Sequence, residues 1–105
     1  MRIKEFTDIP IADNFRHFRM FSGNHYVDFG VLDGELCAYL WGCPGEGRIF
    51  LKALEEYAGN NNLKLTVPTV LSDRLVKILS DNGYSPKEVP YLGDICEVWR
   101  KDESY

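Results

Sequence analysis

The chain has 105 residues and a mass of 12.1 kDa, which is the size of one domain, so residues 1–105 are treated as a single unit. Hydrophobic residues make up 45% of the chain and charged residues 27%, which is the composition of a folded globular protein rather than a disordered one. The net charge is −4 and no run of Lys or Arg occurs, so we expect no nucleic-acid binding through neutralised phosphates.

No apolar stretch is long enough to span a bilayer, and the first residues lack the apolar region of a secretion signal. We therefore expect a cytoplasmic protein that does not bind membranes. The three cysteines, Cys37, Cys43 and Cys96, form no Cys-x-x-Cys pair, and neither histidine lies at a metal-like spacing from them. This pattern predicts free thiols and no metal site.

The elements follow in chain order from periodicity and turn residues. Residues 1–6 alternate apolar and charged side chains and predict a strand. Residues 11–21 predict a helix that ends at Ser22-Gly23-Asn24. Its apolar side chains recur at steps of three and four residues: Phe15, Phe18, Met20 and Phe21.

The strongest local signal is a hairpin over residues 26–41, because Asp33-Gly34 fits the positive φ angles of a type I′ turn. A glycine-rich turn follows over residues 42–47. It leads into an amphipathic helix over residues 47–58, which Gly59 and three asparagines end.

The second half of the chain continues the alternation of strand and helix. Residues 63–67 predict a short strand closed by Pro68, and Ser72 is a plausible N-cap for the next helix. The buried stripe of that helix is predicted to be Leu71, Leu75, Ile78 and Leu79. Asn82-Gly83 ends the helix, and residues 94–101 predict a final strand.

The predicted order is strand, helix, hairpin, helix, strand, helix, strand. The strand, glycine turn, helix and strand in the middle form a βαβ unit, which predicts parallel pairing of its two strands. We therefore expect an α/β (α+β) fold, with a mixed sheet flanked by about three helices.

The glycine turn is the first candidate site. A strand that runs into a glycine-rich loop at a helix N-terminus exposes backbone N–H groups, and the helix dipole favours a phosphate there. Gly45 and Gly47 lack the Cβ that would block close approach. The turn lacks the Gly-Lys-Ser/Thr ending of a P-loop and inverts the G-x-G-x-x-G spacing. The alternative is that these glycines serve the turn alone.

Residues 45–58, Gly-Glu-Gly-Arg-Ile-Phe-Leu-Lys-Ala-Leu-Glu-Glu-Tyr-Ala, resemble the acetyl-CoA pyrophosphate loop and helix of the GNAT N-acetyltransferase superfamily. Residues 63–84 are similar to the next strand and helix of that family. The resemblance implies a truncated GNAT-like sheet splayed between two strands, with pantetheine in the gap and pyrophosphate on the loop. The cofactor-binding residues that it implies are Gly42, Gly45, Glu46, Gly47, Arg48 and Ile49.

The sequence departs from the family pattern at four positions. Gly42 stands where Gln or Arg is usual, and Cys43 replaces a common glycine. Glu46 adds a negative charge to the loop, and Leu79 occupies the position of the frequent general-acid tyrosine. These departures favour a domain that has lost catalysis.

The reaction that the resemblance implies is direct attack of an amine on the acetyl thioester, with a general base to accept the proton. The candidate bases are Glu35, Asp28 and His25, each of which is alternatively a surface residue of the hairpin. Cys43 is either a nucleophile or a turn cysteine, and Tyr84 is either a cofactor-side aromatic or a core residue.

The aromatic side chains point to the core or to a surface left uncovered in so short a chain: Phe15, Phe18, Phe21, Tyr39 and Trp41. An uncovered sheet is commonly satisfied by a partner, so we expect a homodimer or another protein partner. Three functional hypotheses remain open. They are an acyl-CoA-binding domain that acetylates an amine if active, a catalytically inactive GNAT-derived binding or structural module (for example phage-encoded or part of an assembly), and an α/β domain whose loop binds nothing.

Overall fold

A computed structural model describes residues 1–7, 15–68, 70, 72–91 and 93–101. Over these residues the chain forms nine elements. They are β1 (Arg2–Phe6), β2 (Arg16–Ser22), β3 (His25–Leu32), β4 (Glu35–Gly42), α1 (Gly47–Asn60), β5 (Lys64–Pro68), α2 (Asp73–Asp81), β6 (Tyr84–Tyr91) and β7 (Asp94–Lys101). The strands form one sheet in the order β1-β2-β3-β4-β5-β7-β6, and all neighbours are antiparallel except β4 and β5.

The mixed α+β class is confirmed, as is the parallel pairing of the two strands around α1. The number of helices was overestimated: the described residues contain two, where about three were expected. The caps of α2 follow the prediction, since the Ser72 hydroxyl accepts a hydrogen bond from the Leu75 amide at 3.4 Å and the helix ends at Asp81. Leu71, predicted in its buried stripe, lies outside the described residues.

The predicted helix over residues 11–21 is wrong from Arg16 onward, where the chain forms β2, and its first residues lie outside the described part. Phe18 and Met20 alternate with exposed and half-buried neighbours, which is the period of a strand. The strand is fixed by pairing with β1 on one side and β3 on the other. Tertiary pairing therefore overrides the apparent helical spacing.

β6 was not predicted. It carries Pro86 and Pro90, which cannot donate a backbone hydrogen bond and normally demote a sequence from strand assignment. The sheet accepts both prolines because β6 is an edge strand that pairs only with β7. The final strand, β7, has the bounds predicted from the sequence.

The predicted hairpin is confirmed as β3 and β4, with positive φ angles at Asp33 (50°) and Gly34 (78°). The two strands change register between Asp28 and Phe29, because Asp28 pairs with Leu40 whereas Phe29 pairs with Ala38. Tyr39 is therefore the additional residue of a β-bulge in β4.

β4 and β5 are paired only at their first residues, where Glu35–Cys37 face Lys64–Thr66. β4 then continues to Gly42 without a β5 partner, and the loop to α1 follows. The sheet is thus open between these strands at the end that leads to α1.

Both helices pack on one face of the sheet. The Tyr57 ring of α1 lies 5.4 Å from the Phe29 ring, and Leu79 of α2 belongs to the same buried cluster. That core is lined mainly by Phe18, Met20, Val27, Phe29, Leu36, Phe50, Leu51, Leu54, Val67 and Leu79. No helix within the described ranges has the length and apolarity to cross a membrane.

Candidate functional site

A cleft of about 620 Å³ lies between the loop that begins α1 and the facing side of α2. Its walls are formed by Trp41, Cys43, Pro44, Gly45, Glu46, Gly47, Arg48, Ile49, Ser72, Arg74, Leu75, Lys77 and Ile78. All of the predicted cofactor residues except Gly42 line this cleft. The structure thus brings the glycine turn together with a set of α2 residues that the sequence did not associate with it.

The loop is shaped by a turn that ends at the helix. Gly45 has a φ of 79°, and the Glu46 amide donates to the Cys43 carbonyl at 2.9 Å. Glu46 is the N-cap residue of α1, and its side chain makes no capping hydrogen bond. The amides of the first helical turn therefore lack a side-chain cap, and the helix dipole favours an anion beside them.

Two glycines of the motif are required by packing. A Cβ on Gly42 would lie 2.5 Å from Cζ of Tyr26, its cross-strand partner. A Cβ on Gly47 would lie 2.8 Å from Cδ1 of Ile78, where α1 and α2 meet. These contacts account for both glycines without a ligand, so the turn hypothesis explains part of the motif.

Three cations and one acid surround the cleft. Arg48 lies 3.2 Å from Asp81, and Lys77 lies 3.6 Å from the same carboxylate oxygen. Arg74 has no carboxylate partner within the described ranges. With Glu46 also on the wall, the cleft has a small excess of positive charge, most of it already shared with Asp81.

The candidate base Asp28 is not free. It is 5% exposed and accepts two hydrogen bonds from Arg19, at 2.6 and 3.0 Å. The guanidinium also stacks on the Tyr26 ring at 4.2 Å, and its bonds to Asp28 raise the pKa of Arg19. This pair holds β2 to β3, and Asp28 does not line the cleft.

The candidate base Glu35 is also paired. It accepts hydrogen bonds from the Thr66 hydroxyl and from Arg100, the latter at 2.7 Å. Burial raises the pKa of Glu35, but these two bonds outweigh it and hold the pKa below its ordinary value. The network lies where β4 and β5 are still paired, next to Cys37, whose pKa is raised by burial and by the charge of Glu35.

The third candidate base, His25, begins β3 and pairs with Ser22 across the hairpin. Its Nδ1 atom is buried without a hydrogen-bond partner, and the residue does not line the cleft. The structure therefore places none of the three candidate bases on the cleft wall.

The remaining candidates have structural positions. Cys43 lines the cleft but is 6% exposed, and burial together with the nearby Glu46 raises its pKa to about 11. Tyr84 belongs to the core, as the core alternative predicted. Its hydroxyl donates to Glu55 at 2.9 Å, and burial and this bond raise its pKa. Leu79 is fully buried.

Sequence reasoning missed the contribution of α2 to the cleft, namely Arg74 and Lys77, and of Trp41 at the end of β4. The helical period indicated which face of α2 is polar, but no sequence signal indicated that this face meets the loop. Within the described ranges, no cluster of three or more metal-ligating side chains occurs. No known protein family, curated protein sequence or solved structure matches this chain.

Proposed function

We propose that this chain is a small GNAT-like domain that binds acetyl-CoA or another acyl-CoA in the cleft at the start of α1. The observation that carries the proposal is the meeting of three features at one place: the gap between β4 and β5, the uncapped first turn of α1, and the cation Arg74. A thioester with a diphosphate needs an elongated slot and an anion site at its end. The three features together supply both.

The sheet supports this assignment. The family resemblance implies a sheet that opens between two strands, and β4 and β5 separate beyond Cys37 and Thr66. Unpaired backbone groups of β4 beyond that point are available to the amide groups of a pantetheine chain. The bulge at Tyr39 changes the strand direction at the start of the gap.

The cleft residues have distinct roles in this proposal. The amides of the first turn of α1 and the guanidinium of Arg74 would bind phosphate oxygens, because both are donors without an intramolecular acceptor on the described side chains. Trp41 and Ile78 supply apolar wall, which suits the aliphatic part of the ligand. Glu46 opposes the anion and weakens binding.

A specific observation favours binding without catalysis. Asp28 and Glu35 are both occupied by arginines, and neither lines the cleft. If acetyl transfer occurs, an amine attacks the thioester carbonyl, the carbon–sulfur bond to CoA breaks, and the amine proton must pass to water or to the CoA thiolate. The second candidate is therefore a GNAT-derived binding module without transferase activity.

The first experiment is titration of the protein with acetyl-CoA by calorimetry, with thermal unfolding alongside. A ligand at a hundred times its Kd stabilises the fold by about 2.7 kcal/mol, which raises Tm by roughly ten degrees or more in a domain of this size. Arg74→Glu should weaken binding strongly. Lys52→Glu, which makes the same charge change on the exposed side of α1, should not.

Absence of heat and of a Tm shift at millimolar acetyl-CoA would contradict the proposed ligand. If binding is found, release of the free CoA thiol in the presence of a panel of amines separates the two candidates. Release above the rate without protein supports the transferase, and binding without release supports the inactive module.

A further inference from the structure

The two edges of the sheet differ in their ability to accept another strand. On β6, Pro86 and Pro90 lack an N–H group and are an even number of residues apart, so both face the same side of the strand. Because β6 is paired with β7 throughout, the prolines must face outward, away from the ladder. Glu88 is the outward residue between them, and its amide is flanked by two positions that cannot donate. The β6 edge is thus blocked to strand addition.

The β1 edge has no such protection. Ser22 and His25 flank a two-residue turn and pair with each other, so their backbone groups point between β2 and β3. The alternate residues of β2, Arg19 among them, therefore point towards β1, where Arg19 pairs with Lys4. It follows that Lys4 bonds inward, and that Ile3 and Glu5 present their N–H and C=O groups to the outside.

Side chains on this edge carry a defined charge pattern. Lys4 shares a face of the sheet with Arg2, and neither has a carboxylate partner on the described part of the chain. Glu5, on the opposite face, is already paired with Arg16 at 2.7 Å. Ile3 is 42% exposed on that same opposite face. The edge therefore shows one apolar side chain flanked across the strand by two uncompensated cations.

These charges oppose pairing of β1 with the β1 strand of a second copy. Antiparallel pairing that keeps equivalent faces together places Ile3 against either Ile3 or Glu5 of the copy. The first register places Arg2 against Lys4 twice, and the second places Lys4 against Lys4. Like charges directly opposite each other destabilise a strand pair.

We propose that β1 is a docking edge for an extended segment of a protein partner in which acidic and apolar side chains alternate. The acidic side chains face Arg2 and Lys4, and the apolar side chain between them faces Ile3. Backbone groups of Ile3 and Glu5 complete the added strand, which is the β-augmentation mode of peptide recognition. This inference is independent of the acyl-CoA cleft.

The probe is the peptide acetyl-Thr-Val-Glu-Val-Glu-Val-Thr-amide, and the matched control peptide has lysine in place of glutamate. Binding to the full chain is followed by amide chemical shifts and fluorescence anisotropy at low salt, because exposed charge pairs are screened as the ionic strength rises. We expect the acidic peptide to shift the amides of Ile3 and Glu5, and the basic peptide to bind at least several-fold more weakly.

Two variants test the geometry. Ile3→Pro removes an outward N–H while leaving the inward bonds of β1 in place, and it should weaken acidic-peptide binding roughly tenfold. Glu88→Pro makes the same kind of change on the blocked edge and should leave binding unchanged. Reversal of charge by Arg2→Glu together with Lys4→Glu should exchange the preference between the two peptides, and this readout remains if Ile3→Pro does not fold.

The inference is overturned if Ile3→Pro and Glu88→Pro bind the acidic peptide equally, if charge reversal leaves the preference unchanged, or if the shifted amides lie away from β1. Sedimentation of the protein alone is a further test. A dimer that Ile3→Pro abolishes would assign the edge to a second copy and contradict the proposed occupant.

Discussion

The guanidinium of Arg48 on α1 lies 3.2 Å from the carboxylate of Asp81 on α2, so an ion pair joins the two helices beside the cleft. Lys77 shares the same oxygen at 3.6 Å. Asp81 itself does not line the cleft. The carboxylate therefore competes with any bound anion for two of the three cations on the cleft wall.

Asp81→Asn should strengthen binding of acetyl-CoA, because it releases Arg48 and Lys77 from their internal partner. The expected gain is roughly two- to fivefold, since an exposed ion pair is worth about 0.2–1 kcal/mol. Calorimetric titration measures the change. Glu56→Gln makes the same charge change on an exposed position of α1, and equal affinities for the two variants would contradict the competition.

Gly42→Ala should destabilise the fold by about 1–3 kcal/mol, because the new methyl group would meet the Tyr26 ring and force it to move. Urea unfolding of the single variants and of the pair Tyr26→Ala with Gly42→Ala measures the coupling. We expect the double variant to lose less stability than the sum of the singles. Additive losses would show that the ring and the glycine do not constrain each other.

Glu35→Gln should lower stability at neutral pH by about 1 kcal/mol, because it removes the charged acceptor of the Arg100 bond. The pKa of Glu35 lies below its ordinary value of 4.5, so the carboxylate stabilises the fold above that pH. The contribution is lost as the pH falls through the lower folded-state pKa. Acid unfolding should therefore be less steep in Glu35→Gln than in the wild type.

Glu88→Gln is the matched control for this pH dependence, since Glu88 is exposed on β6. It should unfold in acid as the wild type does. If Glu35→Gln gives the same pH profile as this control, the Thr66 and Arg100 bonds do not set the ionisation of Glu35.

Cys43 should react slowly with iodoacetamide in the folded protein. Its pKa of about 11 makes the thiolate rarer at neutral pH, by roughly two to three powers of ten, than in a free cysteine of pKa about 8.5. Peptide mass spectrometry after timed labelling measures each thiol separately. Labelling of Cys43 should become fast in urea, and native labelling as fast as that of free cysteine would contradict its inert position.

Local signals were sufficient for several elements. The turn at Asp33-Gly34, the Ser72 cap and the helical period of α1 each lie within one short segment, and the structure agrees with all three. β2 could not be predicted in this way, because the spacing of Phe18 and Met20 fits two periods and only pairing with β1 and β3 decides between them. β6 was hidden by prolines that only an edge position tolerates.

The candidate site divides along the same line. The glycine turn at residues 42–47 and the start of α1 could be identified from the chain alone, because the motif is continuous in sequence. Tertiary packing alone brought Arg74 and Lys77 of α2 to the same cleft. It also paired Asp28 with Arg19 and Glu35 with Arg100, and so removed two candidate bases from reaction.

The sequence by itself thus determined the turns, the caps, both helices and the position of the glycine loop, since these depend on backbone preferences of neighbouring residues. The tertiary structure decided which segments became strands, which charges were neutralised and what faces the loop. The physical reason is distance along the chain. Glu35 and Arg100 are 65 positions apart, and only the order of strands in the sheet brings them into contact.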